Sequence, residues 1–265
     1  MAGPLNDILF YIAYLFHTNH SPSTVVTYIS GLSHFHKLHN FPDNTQVFVV
    51  KKMIEGLKRK RPSQPDVRVP ISLDLLKRLI TSLRSICTST YEAALFSSAF
   101  SVAFFVLLRI GEIASDTNNR PGTHVIRFLD IMFKVSDCGH EELHLTLKSS
   151  KTDQRLKSVT LIIRRQVDKL ICPVENLKRY LSIRSNFPDG NLFIHFDGSN
   201  LTRYQFSYIL QKSLNFCEEK GLYKPHSFRI GGAIEAKRLG FDDDTIMQWG
   251  RWSSNAYEKY IRLDL

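Results

Sequence analysis

Residues 91–113 read YEAALFSSAFSVAFFVLLRIGEI. From Tyr91 to Leu108 the side chains are mostly apolar or small, so the stretch reads as a long helix buried in the middle of a core. It is not a bilayer span. Ser97, Ser98 and Ser101 interrupt the apolar run from Ala93 to Leu108, which falls short of the roughly 20 residues a span needs. Arg109 ends the run and Glu112 follows three residues later. A buried guanidinium needs a partner, and a carboxylate at i+3 can orient it. Such a pair by itself is most often a structural ion pair at a helix end. The planar donors of arginine also suit phosphate, because they reach two oxygens at once.

Outward from this helix the texture changes. His124 to Phe128, Ile131 to Val135, Glu142 to Leu147 and Ser158 to Ile163 alternate or are β-branched, which predicts strands. Helices return at Pro173 to Ser185, Tyr204 to Glu219, Phe228 to Leu239, Asp243 to Trp249 and Ser254 to Ile261. Towards the N-terminus, Ser72 caps a helix to about Leu83. Three more helices are expected earlier: Leu5 to Phe16, one from Ser21-Pro22 (capping residue, then proline at the first helical position), and Gln46 to Leu57. In the second of these, Thr24, Tyr28, Leu32 and Phe35 recur at helical spacing. The third ends in Lys58-Arg59-Lys60-Arg61, followed by Pro62-Ser63-Gln64-Pro65. A basic run followed by prolines is a linker signature. The run alone reads as a solvated helix end, a nuclear import signal or a phosphate-contacting arm. The order is helices, linker, helices, small antiparallel sheet, helices, without βαβ alternation. It predicts a mainly α chain with a small antiparallel sheet (α+β), with a helical domain over 1–61, a linker over 62–71 and a second domain over 72–265.

The chain has 265 residues, with 35 Lys+Arg against 25 Asp+Glu and a net charge of +10. With 43% hydrophobic and 23% charged residues it is globular and long enough for a real core. The positive excess points to an anionic partner, most often nucleic acid. Cys87, Cys138, Cys172 and Cys217 lie far apart, which indicates neither a zinc knuckle nor a disulfide framework and fits a reducing, intracellular setting. The apolar run Ile8 to Phe16 lacks a basic segment before it and a cleavage site after it, so it reads as a buried helix. There is no glycine-rich phosphate loop and no carboxylate cluster of metal-site spacing.

Three further segments carry candidate chemistry. Lys148-Ser149-Ser150-Lys151-Thr152-Asp153 reads as a turn between two strands, presenting lysines or simply solvated. His226 and Arg229 lie three apart, on one side of a helix if one begins there. A second His-x-x-Arg, His124 to Arg127, falls in a strand-like stretch that would splay the two side chains, and reads as chance. Near the end stands Trp249-Gly250-Arg251-Trp252-Ser253-Ser254-Asn255-Ala256-Tyr257-Glu258-Lys259-Tyr260-Ile261-Arg262.

Singly, these motifs are near background. In the order Arg, Lys, His-x-x-Arg, Trp, Tyr they resemble the tyrosine recombinase (phage integrase) family. Leu107 to Ile113 is similar to the family's first arginine motif, with its acidic residue at Glu112. Lys151 matches the hairpin lysine, His226 and Arg229 the central pair, Trp252 the position of His or Trp, and Tyr260 the nucleophile. Spacing from Trp252 and the following Ile261-Arg262 favour Tyr260 over Tyr257. The resemblance covers about Ser72 to the end. The preceding helices look like the family's core-binding domain, with Thr24 and Tyr28 on its DNA-binding helix and Lys58 to Arg61 as phosphate contacts. The final segment is most similar to eukaryotic mobile-element recombinases, the DIRS-like and Crypton-like groups.

The resemblance implies cleavage and rejoining of double-stranded DNA through a 3′-phosphotyrosine, by a tetramer on two DNA sites, with no metal or other cofactor and no membrane. In a eukaryote the expected location is the nucleus. Arg109 and Arg229 would neutralise the phosphate oxygens, with Trp252 and His226 adding hydrogen bonds. Lys151 would be the general acid and His226 the candidate base for Tyr260. Prokaryotic members carry His where Ile230 and Trp252 stand here. An indole N–H still donates one hydrogen bond. The chain stops five residues after Tyr260, and its helical domain is short for a DNA clamp, so a fragment of a larger element protein is expected. Two other readings stay open: a recombinase-derived DNA-binding module without strand exchange, and type IB topoisomerase-like relaxation.

Overall fold

The structure is a computed structural model that describes residues 5–62, 66–118, 122–137, 139–148, 158–252, 257 and 261. The chain divides into two compact units, Met1–Asp66 and Val67–Leu265.

The first unit holds three helices, α1 (Leu5–His17), α2 (Pro22–Leu38) and α3 (Phe48–Lys60), with a short 3₁₀ turn at Asn44–Gln46. Ser21 caps α2, its Oγ accepting the Thr24 N–H at 3.1 Å, and Pro22 opens the helix as expected. Ile8, Ile12, Leu15, Val25, Ile29, Val50 and Leu57 form the core. The buried face of α2 is Val25, Ile29, Ser33 and His36. The Thr24, Tyr28, Leu32, Phe35 stripe lies one position round the helix, so Tyr28 and Phe35 stay 43% and 51% exposed. The expected helix from Gln46 breaks at Val47, which is extended. Before the break, Asp43 holds the 3₁₀ turn, accepting the Thr45 N–H at 3.0 Å and the Ser33 hydroxyl at 2.6 Å. At the other end, α3 runs on through Lys58, Arg59 and Lys60, where cations complement the helix dipole. The basic run therefore forms the last turn of α3 and, at Arg61, its cap, the helix-end reading of that run.

The second unit contains α4 (Leu73–Ile86), α5 (Thr90–Phe105), the single turn α6 (Ile110–Ile113), strands β1 (Ile131–Val135), β2 (Glu141–Leu147) and β3 (Val159–Arg164), and then α7 (Pro173–Leu181), α8 (Arg203–Phe216), α9 (His226–Arg238) and α10 (Asp243–Gly250). Ser72 caps α4, accepting the Leu75 N–H. The sheet is antiparallel in the order β1-β2-β3, pairing Ile131 with Leu145 and Leu147 with Val159. Leu143, Leu145, Leu147, Leu161 and Ile163 point into the core, and their period of two is the alternation visible in the sequence.

The fourth expected strand, His124 to Phe128, is not one. Arg127 makes an isolated bridge to Asn191, and Phe128–Asp130 turns as a 3₁₀ helix with the Asp130 carboxylate accepting the Arg127 N–H at 2.9 Å. Val125 and Ile126 are both buried, and the Phe128 N–H to Gly190 O and Leu192 N–H to Ile126 O bonds hold the segment without a ladder. Helix α7 stops at Leu181, short of Ser185, because Arg184 folds back onto the carbonyls of Phe187, Asn191 and Leu192. The expected helix Ser254 to Ile261 lies outside the described residues except at Tyr257 and Ile261.

Helix α5 is the centre, buried on every face and packed against α4, α7 and α9. It ends at Phe105, three residues earlier than predicted. The Leu108 N–H returns to Ala103 O and the Leu107 N–H to Phe104 O, with Leu107 left-handed at φ 51°. This is the pattern that closes a helix with a residue in the mirror-image conformation, usually glycine. For leucine that conformation costs about 1–2 kcal/mol, so the surrounding packing must hold it.

Candidate active site

The turn after α5 lays out the first site residues. Arg109 is extended and half-buried, directly before α6. Glu112, 2% exposed, takes the Arg109 backbone N–H on Oε2 at 2.8 Å and the Arg109 Nη1 on Oε1 at 3.2 Å. The i+3 pairing foreseen in the sequence is present, and its carboxylate also caps the turn.

Helix α9 supplies the second pair. His226 is its first residue and half-buried, and Arg229 stands one turn on, 1% exposed. The Arg229 Nη1 donates to Leu107 O and its Nη2 to Gly250 O. Its guanidinium stacks on the Trp252 ring, 4.2 Å from the centroid. The stack depends on Gly250, where a Cβ would lie 1.7 Å from the Trp252 ring. Helix α9 reaches this place because two further glycines let backbones meet. A Cβ on Gly231 would lie 1.8 Å from Ile71 O, and one on Gly232 would lie 2.2 Å from Phe104 O.

Arg251 completes the cluster, and the sequence reading assigned it no part. It follows α10 in the left-handed conformation at φ 54°. The Trp252 N–H returns to Met247 O and the Arg251 N–H to Gln248 O, which repeats the closure at Leu107. Arg251 Nη2 donates to Glu112 Oε2 at 2.7 Å and lies 3.4 Å from Leu107 O, while Nη1 donates to Trp249 O at 3.1 Å. Burial lowers the pKa of this guanidinium. The Glu112 carboxylate opposes the shift, and the nearby Arg109 charge adds to it. The available signal was Gly250-Arg251-Trp252 just past a helix end, where an arginine occupies the position glycine usually takes.

The structure therefore brings together Arg109, Glu112, Arg229 and Trp252, with Arg251 among them. Three guanidiniums accompany one carboxylate, leaving a positive excess suited to an anion. Leu107, Ala233, Ala236 and Ile246, with Trp249, Trp252 and Ile261, form a small core of their own. Tyr257 is buried, with its ring 6.4 Å from that of Trp252. Asp243 is held below the ordinary carboxylate range chiefly by its hydrogen bond from Lys237, against the effect of burial, with a further hydrogen bond from Tyr257.

Two predicted catalytic residues, Lys151 and Tyr260, lie outside the described residues. Lys148, at the base of the β2–β3 connection, pairs with the buried Asp130. Thr24, Tyr28 and Lys58 to Arg61 belong to the first unit. Tyr28 and Lys58 to Lys60 are exposed, and Thr24 is half-buried. Arg61 is engaged within that unit. Its Nη2 donates to Asn19 Oδ1 at 2.8 Å and its Nη1 to His20 O at 3.3 Å, and its guanidinium stacks 4.1 Å from the centroid of the Phe16 ring. Among the described residues no group of three His, Cys, Asp or Glu is placed to hold a metal ion, and no helix is long and apolar enough to cross a membrane.

No protein-family model matches the chain, and no curated protein matches it in sequence. Solved structures do match its fold. The XerH site-specific recombinase bound to difH substrate is 13% identical with a TM-score of 0.56, over 89% of this chain and 66% of that one. This chain thus spans just under two thirds of that recombinase. The Tn1549 transposon integrase in complex with circular intermediate DNA is 12% identical with a TM-score of 0.56, over 98% of this chain and 81% of that one. A lambda integrase dimer bound to a core site is 12% identical with a TM-score of 0.55, over 97% and 76%. The chain therefore shares the α+β fold of the tyrosine recombinases and integrases of known structure.

Proposed function

We propose that this chain cleaves and rejoins double-stranded DNA site-specifically through a tyrosine. Residues 72–265 would act as the catalytic domain and residues 1–61 as a core-binding domain. The observation that carries the reading is the convergence of Arg109–Glu112 and Arg229–Trp252 around the Leu107 carbonyl, in a fold shared with DNA-bound recombinases. The Tyr260 oxygen attacks the scissile phosphorus, and its proton passes to His226. The bond to the 5′ oxygen breaks, and Lys151 protonates that oxygen. Arg109, Arg229 and the Trp252 indole N–H stabilise the charge on the nonbridging oxygens. The phosphotyrosine retains the bond energy, and a second 5′ hydroxyl reverses the steps to release Tyr260. Strand exchange then calls for a tetramer on two DNA sites. The ending Gly250 to Arg262 favours the ends of a eukaryotic mobile element as substrate, hence action in the nucleus. The hydrogen bond from Tyr257 to Asp243 supports Tyr260 as nucleophile, since it gives Tyr257 a structural partner.

The test is covalent capture of a nicked duplex. Tyr260→Phe should abolish the adduct and Tyr257→Phe should keep it. The opposite pattern would reassign the nucleophile. A second reading, a module that binds DNA without exchanging strands, draws on the burial of Arg229, two of whose nitrogens serve backbone carbonyls. Retained DNA binding with no adduct from the unaltered chain would decide for it.

A further inference from the structure

Among the described residues the Glu112 carboxylate has two cationic partners, and only Arg109 belongs to the recombinase-like set. Arg251 is the other. Its guanidinium is nearly as buried as the carboxylate it meets, with side-chain exposures of 9% and 3%. It holds Oε2, the same oxygen that accepts the Arg109 backbone N–H, while Oε1 holds the Arg109 side chain. A carboxylate fixed at one oxygen has little freedom to turn at the other. Arg251 also approaches Leu107 O, the acceptor of Arg229. Its own backbone is left-handed, which a side chain other than glycine does not favour. The position thus retains an arginine where glycine would be easiest for the main chain. Among the described residues its Nε is buried with no hydrogen-bond partner. A strained backbone and an unsatisfied buried donor argue against a residue selected for stability alone.

We propose that Arg251 is a positioning residue. It locks Glu112, and through it the Arg109 guanidinium, and ties that arginine to the end of α10, from which the chain continues to Tyr260. This rests on the functional reading above. Because Arg251 acts through Glu112, removing Glu112 should leave it nothing to act on.

The closing experiment compares the unaltered chain, Arg251→Gly, Glu112→Gln and the double variant. Glycine suits the left-handed backbone, and the double variant buries no unpaired carboxylate. Each single variant should slow covalent capture of the nicked duplex roughly 10- to 100-fold, the scale of a misplaced catalytic group. Equilibrium affinity for intact duplex should stay within about twofold, since phosphate contacts elsewhere carry it. The double variant should be no slower than Glu112→Gln. Capture by Arg251→Gly at the unaltered rate would overturn the proposal, as would a double variant that loses the product of the two single effects. If Arg251→Gly does not fold, Arg251→Lys, which keeps the cation but loses the forked donor, takes its place in each comparison.

A readout independent of cleavage separates this proposal from the functional reading. In ¹H–¹⁵N spectra the Nε–H of Arg109, on the side chain that Glu112 holds, should exchange slowly with water in the unaltered chain and rapidly in Arg251→Gly. Equal exchange in both would sink the positioning role. An unaltered chain that never captures DNA would sink the functional reading, and the exchange measurement would still decide the role of Arg251.

Discussion

Arginines do different work in neighbouring sequence positions. In the run Lys58 to Arg61, three cations are exposed and Arg61 is bound into its own unit through Asn19, His20 and Phe16. Arg61→Ala should cost the first unit about 1–2 kcal/mol, because a charged hydrogen bond and a ring stack disappear. Lys58→Ala, Arg59→Ala and Lys60→Ala should each stay within about 0.5 kcal/mol. Urea melts of the four variants would check the contrast. Gly231 offers a harsher test, because the added methyl would meet the Ile71 carbonyl, which is main chain and cannot swing aside. Gly231→Ala should therefore destabilise the second unit by about 3 kcal/mol or prevent its folding, as thermal denaturation would show. Residue spacing made Arg109, Glu112, His226 and Arg229 legible as candidates. That Arg229 would bind Leu107 O and Gly250 O was not legible, since both acceptors are backbone atoms present at every position. Arg251 was hidden for a related reason: it sits in a turn that arginine rarely makes.

Among the elements, helices were readable wherever a cap and an apolar period coincided, as at Ser21-Pro22 and Ser72. Their ends were less so. Helix α5 stops at Phe105 because the crossing of α9 at Gly232 brings that helix against the Phe104 carbonyl, a contact between residues far apart in the chain. The stretch His124 to Phe128 makes a single bridge, Arg127 to Asn191, flanked by bonds to Gly190 and Leu192, so no ladder forms. In α2 two mixed stripes lie side by side, and the one the core takes ends in the polar Ser33 and His36, so periodicity alone does not single it out. The 3₁₀ turn before α3 gives a titration prediction. Burial would raise the pKa of Asp43, but hydrogen bonds from Ser33 and Thr45, with the Lys37 charge, outweigh it and hold the group at about 2. A carboxyl depressed in the folded state stabilises above its unfolded value, near 4, and that contribution disappears as pH falls through about 2. The first unit should therefore lose about 1 kcal/mol between pH 4 and pH 2 that Asp43→Asn does not lose. Melting curves across this range, compared between the two proteins, give the answer.

For the molecule as a whole, the +10 charge separates into cations bound within the site and cations on the surface. Arg109, Arg229 and Arg251 are bound to Glu112 and to backbone carbonyls, so they add little to long-range attraction beyond the site. Affinity for duplex DNA should come mainly from exposed cations and fall steeply with salt. Neutralising Lys58, Arg59 or Lys60 should reduce the slope of log K against log salt by ~0.9 for each of them that touches a phosphate. Fluorescence anisotropy at several salt concentrations would measure it, and an unchanged slope would mean that this helical turn does not touch phosphate. The central position of α5 has a different consequence. From Ala94 to Phe104 that helix is buried on every face, so the amides of this stretch cannot meet water while its partners remain in place. Their exchange with deuterium should report only the complete opening of the second unit. Helix α10, buried chiefly through Ile246 and Gly250, should exchange through smaller, local openings. A protection pattern read along the chain would thus set a stability scale for the rigid floor of the site against the helix that closes it.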